Sequence, residues 1–417
     1  MPEDPVAAGR SARRAWILLD WAASGFSTVL ITLVVTYVER VACPAGAWGV
    51  PAGVLWAWTL AAAMLAAAGL APWAAAWADR HAAHQRALVA ATVVGAGGLA
   101  ALAVLPTAGR VAVLGAIVVA SVGFDLNQIF TGSLLPRIAA GHDADRLSAQ
   151  GFAAGYAGGA VALILATAIV AGLGRLGLGA AAGLRLAFAF TAVWWLGFSL
   201  PAAFARFGGG AGAAHAAGTG RELWAFAGRL LAGSTEPAAA PLASVLFGAM
   251  LALGAVQTGI AQFTSLAIQR LDLDGPALVL LVLLVQAVAL PGALLIGWMA
   301  VRFGRRPAAA VCLGGWITVL VLAWFVRTPA QLHGLAVLLA LVLGGIQSLL
   351  RAAVAVLAPE GRSGVTFGLL QVGTKLAGCV ASLAFGALEW ATSEPRAGLV
   401  ALAAQIAAAW WLLRRLP

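Results

Sequence analysis

Two stretches of this chain are longer and more apolar than any soluble core helix needs to be. Val54 to Ala78 and Ala277 to Val301 contain no Asp, Glu, Lys or Arg, and each exceeds the ~20 residues that carry a helix across a bilayer. A soluble domain needs roughly a quarter of its residues charged to cover its surface. Here 62% of the 417 residues are hydrophobic and only 10% are charged, so lipid must do much of the solvating. Two-residue alternation is missing, which excludes an outer-membrane barrel. The expected fold class is an all-α membrane protein.

Charges and Gly/Pro clusters cut the sequence into twelve apolar segments, near 16–38, 53–78, 87–105, 111–134, 148–173, 184–205, 241–268, 277–301, 308–326, 331–357, 364–389 and 397–413. The first has no small-residue cleavage site in a polar flank and reads as a span, not a signal peptide. The longest interruption, 206–240, is rich in Gly, Ala and Pro and separates six spans from six. The expected organisation is therefore an N-terminal bundle over 1–205, a cytoplasmic linker over 206–240 and a C-terminal bundle over 241–417. Within the linker, Arg221 to Leu231 has an apolar face at helical spacing. A short helix on the membrane surface and a mobile linker both fit so brief a segment.

The net charge is +10, and the one lysine among the basic residues is Lys375. No basic cluster lies on a soluble segment large enough to fold, so nucleic acid is not an expected partner. With the N-terminus inside, the short inner loops carry arginines such as Arg10, Arg13, Arg14, Arg80, Arg86, Arg302, Arg305, Arg306, Arg414 and Arg415. The outer loops hold less than half as many, among them Arg40, Arg110, Arg175, Arg327 and Arg396. That bias predicts both termini on the cytoplasmic side of the cytoplasmic membrane. Cys43, Cys312 and Cys379 form no spacing framework, which speaks against a disulfide scaffold or zinc site. No nucleotide loop, metal-ligand set or cofactor motif is present, so energy must come from a gradient. No nucleophile–base pair lies in any span, and an enzyme is not expected.

The two halves repeat. Ala75-Ala76-Trp77-Ala78-Asp79-Arg80, followed by His84-Gln85-Arg86, stands between spans two and three. Gly297-Trp298-Met299-Ala300-Val301-Arg302-Phe303-Gly304-Arg305-Arg306 stands between spans eight and nine. Asp145-Arg146-Leu147-Ser148 entering span five likewise echoes Glu360-Gly361-Arg362-Ser363 entering span eleven. Two equivalent six-span halves in parallel are how one transporter architecture builds a central cavity.

The two loops resemble the paired Asp-Arg and Gly-Arg-Arg signature of the major facilitator superfamily. The chain is further similar to one branch of it, the autophagy-associated vacuolar effluxer family and its bacterial relatives. That likeness rests on Trp16-Ile17-Leu18-Leu19-Asp20-Trp21-Ala22-Ala23-Ser24-Gly25-Phe26-Ser27-Thr28, Leu135-Pro136-Arg137-Ile138, Gly151-Phe152-Ala153-Ala154-Gly155-Tyr156-Ala157-Gly158-Gly159, Val256-Gln257-Thr258, Leu290-Pro291-Gly292-Ala293, Gly344-Gly345-Ile346-Gln347-Ser348-Leu349-Leu350-Arg351 and Pro359-Glu360-Gly361-Arg362. The resemblance implies the major facilitator fold, with spans one, four, seven and ten lining a cavity and three, six, nine and twelve facing lipid. For the eukaryotic members it implies amino-acid efflux from the vacuole. This chain departs from the pattern in span seven, where Leu253-Gly254-Ala255 replaces Asn-Asp, in span four, where Gly132 replaces Asn, and at Arg137, where an acid is usual.

Ionisable side chains inside a span need a partner or a watery cavity, and four lie well inside: Asp20, Asp125, Arg351 and Lys375. Asp20, Ser24 and Ser27 form a polar stripe on span one. Asp20 reads equally as a titrating carboxylate and as a charge meeting the helix dipole. Asp125, sharing a face with Gln128, has no helix end to explain it and reads as functional. Gln347 and Arg351 are an i, i+4 pair near the inner end of span ten, where Arg351 reads first as snorkelling to the cytoplasm. Lys375, the exception in an arginine-rich chain, reads as an anion contact or the partner of Asp20 or Asp125. Gln257, Gln262 and Gln286 offer hydrogen bonds to substrate or across helices. The five histidines lie in or at loops, leaving carboxylates to carry protons. Gly151, Gly155 and Gly159 recur at every fourth residue, as close helix packing requires, and Trp16, Trp77, Trp390 and Trp410 read as interfacial anchors.

These readings converge on a monomeric secondary active transporter in the lipid bilayer, exporting a small organic solute by alternating access with protons as the coupling ion. Asp20, Asp125, Gln128, Gln257, Gln347, Arg351 and Lys375 are the expected substrate or coupling residues. Asp79, Arg80, Arg302, Arg305 and Arg306 are the expected gate. The alternative is a non-transporting scaffold or assembly factor that retains the fold.

Overall fold

The computed structural model describes residues 5–207, 228, 239–271, 275–392, 394 and 396–416. Apart from Arg206, Phe207, Gly228, Ala239 and Ala240, the expected linker and its surface helix lie outside the described residues. Twelve main helices follow in order: α1 Pro5–Val29, α2 Ala52–Arg80, α3 His84–Val104, α4 Arg110–Leu134, α5 Gly141–Arg175, α6 Ala180–Phe204, α7 Ala239–Leu271, α8 Gly275–Phe303, α9 Arg305–Phe325, α10 Pro329–Leu357, α11 Ser363–Thr392 and α12 Gly398–Leu413. Among the described residues eleven spans are long and apolar enough to cross a membrane, and α12 is a shorter apolar helix. Its 16 residues reach about 24 Å at the α-helical rise, and Arg414 and Arg415 follow directly, where long basic side chains reach an interface.

α1 does not stop at Val29 but continues through π-helical turns at Leu30–Val34 and Val38–Ala42. Thr32 Oγ1 donates to Thr28 O and Thr36 Oγ1 to Thr32 O, each at 2.7 Å. Hydroxyls that take up the carbonyl four residues back loosen the regular ladder. Cys43, just beyond, is fully buried, so the loop after the first span folds back onto the bundle instead of extending into solvent.

Helix contacts carry the repeat that the loops announce. α1 packs on α5 and α6, α2 on α4, and α3 on α4 and α6. Six helices later α7 packs on α11 and α12, α8 on α10, and α9 on α10 and α12. Across the halves α5 meets α8 and α10, and in the repeat α11 meets α2 and α4. A duplicated pattern of this kind is that of parallel repeats about an axis along the membrane normal. α3, α6, α9 and α12 present exposed Val93, Val193, Val321 and Trp411, the apolar exterior that lipid solvates. Among the described residues twelve helices run up and down in turn, so the start of α1 and the end of α12 lie on one face, here called the terminal face.

Candidate functional site

The polar stripe of α1 lies on the glycine stripe of α5. A β-carbon on Gly155 would stand 2.7 Å from Ser24 Oγ, one on Gly159 would stand 2.6 Å from Thr28 Oγ1, and one on Gly151 would collide with Asp20 Oδ2. The stripe is thus Asp20, Ser24 and Thr28, at i, i+4 and i+8. Ser27, singled out in the sequence, bonds back to Ser24 O instead. The three glycines bring α5 close enough for Asp20 to face α10.

There Arg351 takes Asp20 in a two-pronged bond, Nη1 to Oδ1 at 2.9 Å and Nη2 to Oδ2 at 2.7 Å. Its Nε donates to Ser148 Oγ and its Nη2 to Ser148 O, both at 3.0 Å. The guanidinium also lies over the rings of Trp16 and Phe152, 4.6 and 4.2 Å from their centroids. Arg351 therefore does not snorkel, because a buried carboxylate and two aromatic faces outcompete the interface. Trp16 is not an interfacial anchor either. It is fully buried, and its Nε1 donates to Thr131 O at 2.8 Å, so it serves as the platform beneath Arg351.

A second pair crosses the halves between α11 and α4: Lys375 Nζ lies 3.0 Å from Asp125 Oδ1. Of the two partners left open for Lys375, the structure selects Asp125. The two pairs differ in kind. Arg351 has four of its five N–H donors occupied, and its side chain is 11% exposed; Lys375 has one carboxylate oxygen, and its side chain is 24% exposed. The first is a closed clamp, and the second keeps room for another partner.

The terminal face is sealed by two related contacts. Asp79, at the end of α2, accepts from the backbone N–H of Gly364 at 2.9 Å and of Val365 at 2.7 Å. These are free amides in the first turn of α11, where a carboxylate also meets the positive end of the helix dipole. In the other half Val301 stands at the position of the acid, and the roles are inverted. Asp145 sits in the second turn of α5, and Arg305 donates to it through Nε at 2.8 Å and to Gly141 O through Nη2 at 2.9 Å. Gly304 adopts φ 95° between α8 and α9, a turn open to glycine, which directs Arg305 inward. Ser148 Oγ donates to Ser348 O at 2.8 Å, closing the seam between α5 and α10.

The other expected gate residues lie at the surface. Arg302 is exposed, its guanidinium 5.8 Å from the ring centre of Phe303, and Arg306 is exposed as well; the charge that closes this loop is Arg305. Arg80 is exposed at the end of α2. Among the expected substrate groups, Gln128 is half-buried on α4 and Gln257 is exposed on α7. Gln347 Nε2 donates to Leu343 O within its own helix at 3.3 Å. Gln286 crosses the halves, donating to Thr28 Oγ1 at 2.9 Å, and the side chain of Gln262 lies outside the described ones.

Sequence reasoning missed Asp145, Ser148, Thr28 and His84. Asp145 stands in a loop motif repeated in the other half, and nothing in that repeat marks it as the counter-charge of Arg305. His84, placed at a loop, is buried between Asp79 Oδ1, 3.1 Å from its Nε2, and Ser133 Oγ, 2.9 Å from its Nδ1. The departures from the family pattern also acquire a steric reason. A β-carbon on Gly132 would lie 2.6 Å from Phe367 Cε1, and one on Gly254 would lie 2.7 Å from Ala377 Cβ. Both positions have given up side chains to let α11 approach.

Residues 55–416 match the family described as "Vacuole effluxer Atg22 like". The chain is 24% identical over 391 residues to an uncharacterized MFS-type transporter, YxiO, of Bacillus subtilis, covering 88% of this chain and 86% of that one. It is 27% identical over 279 residues to autophagy-related protein 22 of Cryptococcus neoformans, covering 62% of this chain and 50% of the fungal one. Among solved structures it superposes on the proton:xylose symporter XylE with TM-score 0.70 at 14% identity, covering 98% of this chain and 94% of that one. On the Escherichia coli fucose:proton symporter FucP the TM-score is 0.73 at 11% identity, covering 97% and 98%. With that fold, and with a family match reaching from α2 to the end of α12, the chain belongs to the Atg22-like vacuole effluxer family of the major facilitator superfamily, a multi-pass membrane transporter family.

Proposed function

We propose that this protein exports a small organic solute across the cytoplasmic membrane by alternating access between its two six-helix halves, with both termini cytoplasmic and protons as the coupling ion. The observation that carries the reading is the contrast between the two ion pairs. In Asp20–Arg351 both carboxylate oxygens are taken by the guanidinium, which is held in turn by Ser148 and two rings, as befits a latch that holds the terminal face closed. Lys375–Asp125 joins the halves through one contact at 3.0 Å and leaves the ammonium partly accessible. A proton on Asp125, or a substrate group that takes either partner, releases α11 from α4 without opening the clamp itself.

Alternation then follows from competition. Closure of the terminal face places Asp79 on the amides of α11 and Arg305 on Asp145, and each contact exists only while the halves meet there. A ligand that binds one arrangement better shifts the balance by its differential affinity alone. Reading the chain instead as a scaffold leaves the uneven pairing of two buried ion pairs without a purpose.

The test begins with a metabolite comparison between cells with and without the protein, followed by flux of the differing solutes in proteoliposomes with a pH-sensitive dye inside. Solute-dependent proton movement, lost in Asp125→Asn and Lys375→Ala, is the expected result. Lys375→Arg should restore flux only in part, because the guanidinium is planar and does not readily give up its proton. Wild-type flux in Lys375→Ala removes the pair from the mechanism.

A further inference from the structure

We propose that the terminal face holds a binding site for an anionic phospholipid, seated in the groove between α1 and α6 with its phosphate on Arg10 and Arg14. The groove encloses about 430 Å³ and is lined by Arg10, Ser11, Arg14, Ala15, Leu18 and Pro201. Arg10 and Arg14 are exposed and stand one helical turn apart on the same side of α1. Neither joins an ion pair among the described residues, whereas Arg13 between them turns to Asp143 on α5. Two like charges at i, i+4 repel, and an anion held between them turns that repulsion into paired charge-assisted hydrogen bonds. Ser11 at the same mouth adds a hydroxyl donor.

What lies deeper distinguishes a lipid from a soluble anion. One turn below Arg14 the wall becomes Leu18, and on the opposite side it is Pro201 near the end of α6. One turn further, Trp21 of α1 meets Phe198 of α6 edge to face, ring centres 5.9 Å apart, with Trp194 stacked on Trp21 at 5.6 Å. A cationic mouth with an apolar wall of Ala15, Leu18 and Pro201, and aromatic side chains next along the same two helices, is complementary to a headgroup phosphate followed by an acyl chain. Free phosphate has no use for the apolar wall.

Both walls are held in place. Arg13 fastens α1 to Asp143. Gln85 Nε2, with two N–H donors, lies 2.8, 3.0 and 2.9 Å from Ala202 O, Ala203 O and Ala205 O and shares its hydrogens among them, pinning the end of α6. The groove is therefore fixed by contacts made whether or not a lipid fills it, and preorganisation of this kind favours binding.

The experiment uses the full chain in detergent, titrated with phosphatidylglycerol, phosphatidylcholine or inorganic phosphate and followed by native mass spectrometry and thermal unfolding. Phosphatidylglycerol should bind saturably and raise the unfolding temperature, and the other two should not. Arg10→Gln/Arg14→Gln should weaken phosphatidylglycerol binding at least tenfold while unfolding normally without lipid. Arg86→Gln/Arg306→Gln, which removes as much exposed charge elsewhere, should leave binding unchanged. Should the double variant fold poorly, the single variants Arg10→Gln and Arg14→Gln serve in its place, each with a several-fold loss. Equal loss in the two double variants would mean general electrostatic attraction and would overturn the site. Inorganic phosphate that displaces phosphatidylglycerol or stabilises the protein as well would overturn the lipid assignment.

Discussion

Removing one partner of the Asp20–Arg351 clamp should open the terminal face, and the structure sets the size of the effect. The pair carries two charge-assisted bonds, with side chains 7% and 11% exposed. Asp20→Asn leaves a guanidinium buried between Trp16 and Phe152 without its counter-charge, a loss of about 3–5 kcal/mol in comparable buried pairs. Arg351→Gln leaves a carboxylate pressed on Gly151 and forfeits two ring contacts worth about 1 kcal/mol or more each when desolvated. The pair joins α1 to α10 across the halves, so the penalty falls on the closed arrangement; in the open one, water reaches the freed charge. A shift of about 3 kcal/mol changes the open-to-closed ratio roughly 150-fold. Asp20→Asn/Arg351→Gln removes the orphaned charge and should recover a large part of the loss. The assay is a double-mutant cycle in thermal unfolding, joined to the alkylation rate of Ser348→Cys with the native cysteines replaced. Ser348 is buried in the seam, where its carbonyl accepts from Ser148, so its labelling reports opening. Additivity of the two single losses within about 0.5 kcal/mol, or unchanged alkylation in both single variants, would refute the clamp.

Three further outcomes follow from the packing. Arg305→Glu sets a second carboxylate against Asp145, whose side chain is 1% exposed, and should slow transport through loss of about 3 kcal/mol from the closed face; exposed Arg306→Glu should change stability by no more than about 0.5 kcal/mol, and equal effects would reject the assignment. Gly158→Ala should destabilise by about 1–3 kcal/mol in thermal unfolding, because the new β-carbon presses on the Trp21 carbonyl oxygen and lies 2.9 Å from its carbon; Gly172→Ala, with nothing within 4 Å, is the neutral control, and the reasoning fails if the two behave alike. Orientation is read in intact cells with a membrane-impermeant thiol reagent: Glu39→Cys, at an exposed position after α1, should label, and Arg306→Cys should label only after lysis, whereas native Cys43 stays protected because it is buried. The reverse pattern would invert the topology.

Much of this protein was legible residue by residue. A run without charge must be a span whatever surrounds it, because an unpaired backbone polar group has no partner in hydrocarbon. Spacing of four along α5 already announced a close helix contact, and the paired loops announced the duplication that the helix contacts repeat. The family resemblance was readable from motifs spread along the chain, and the match that shows membership runs over residues 55–416. The interior charges were visible too, because any charge in such a run stands out.

Their partners were not. Asp20 and Arg351 are 331 residues apart, and nothing local favours that union over Asp20 with Lys375; only the docking of α1 on α5 and of α5 on α10 puts the carboxylate before the guanidinium. Trp16 looked like an anchor because an indole at a span end usually meets water, until α10 laid an arginine across it. Gly132 and Gly254 looked like lost polar groups and prove to be the room through which α11 approaches. Covalent order and hydropathy determine which segments enter the membrane, since transfer free energy sums along one segment. Which charge neutralises which is decided by tertiary packing, because a pair bond depends on distances of a few ångströms between helices that the chain connects only through the whole fold.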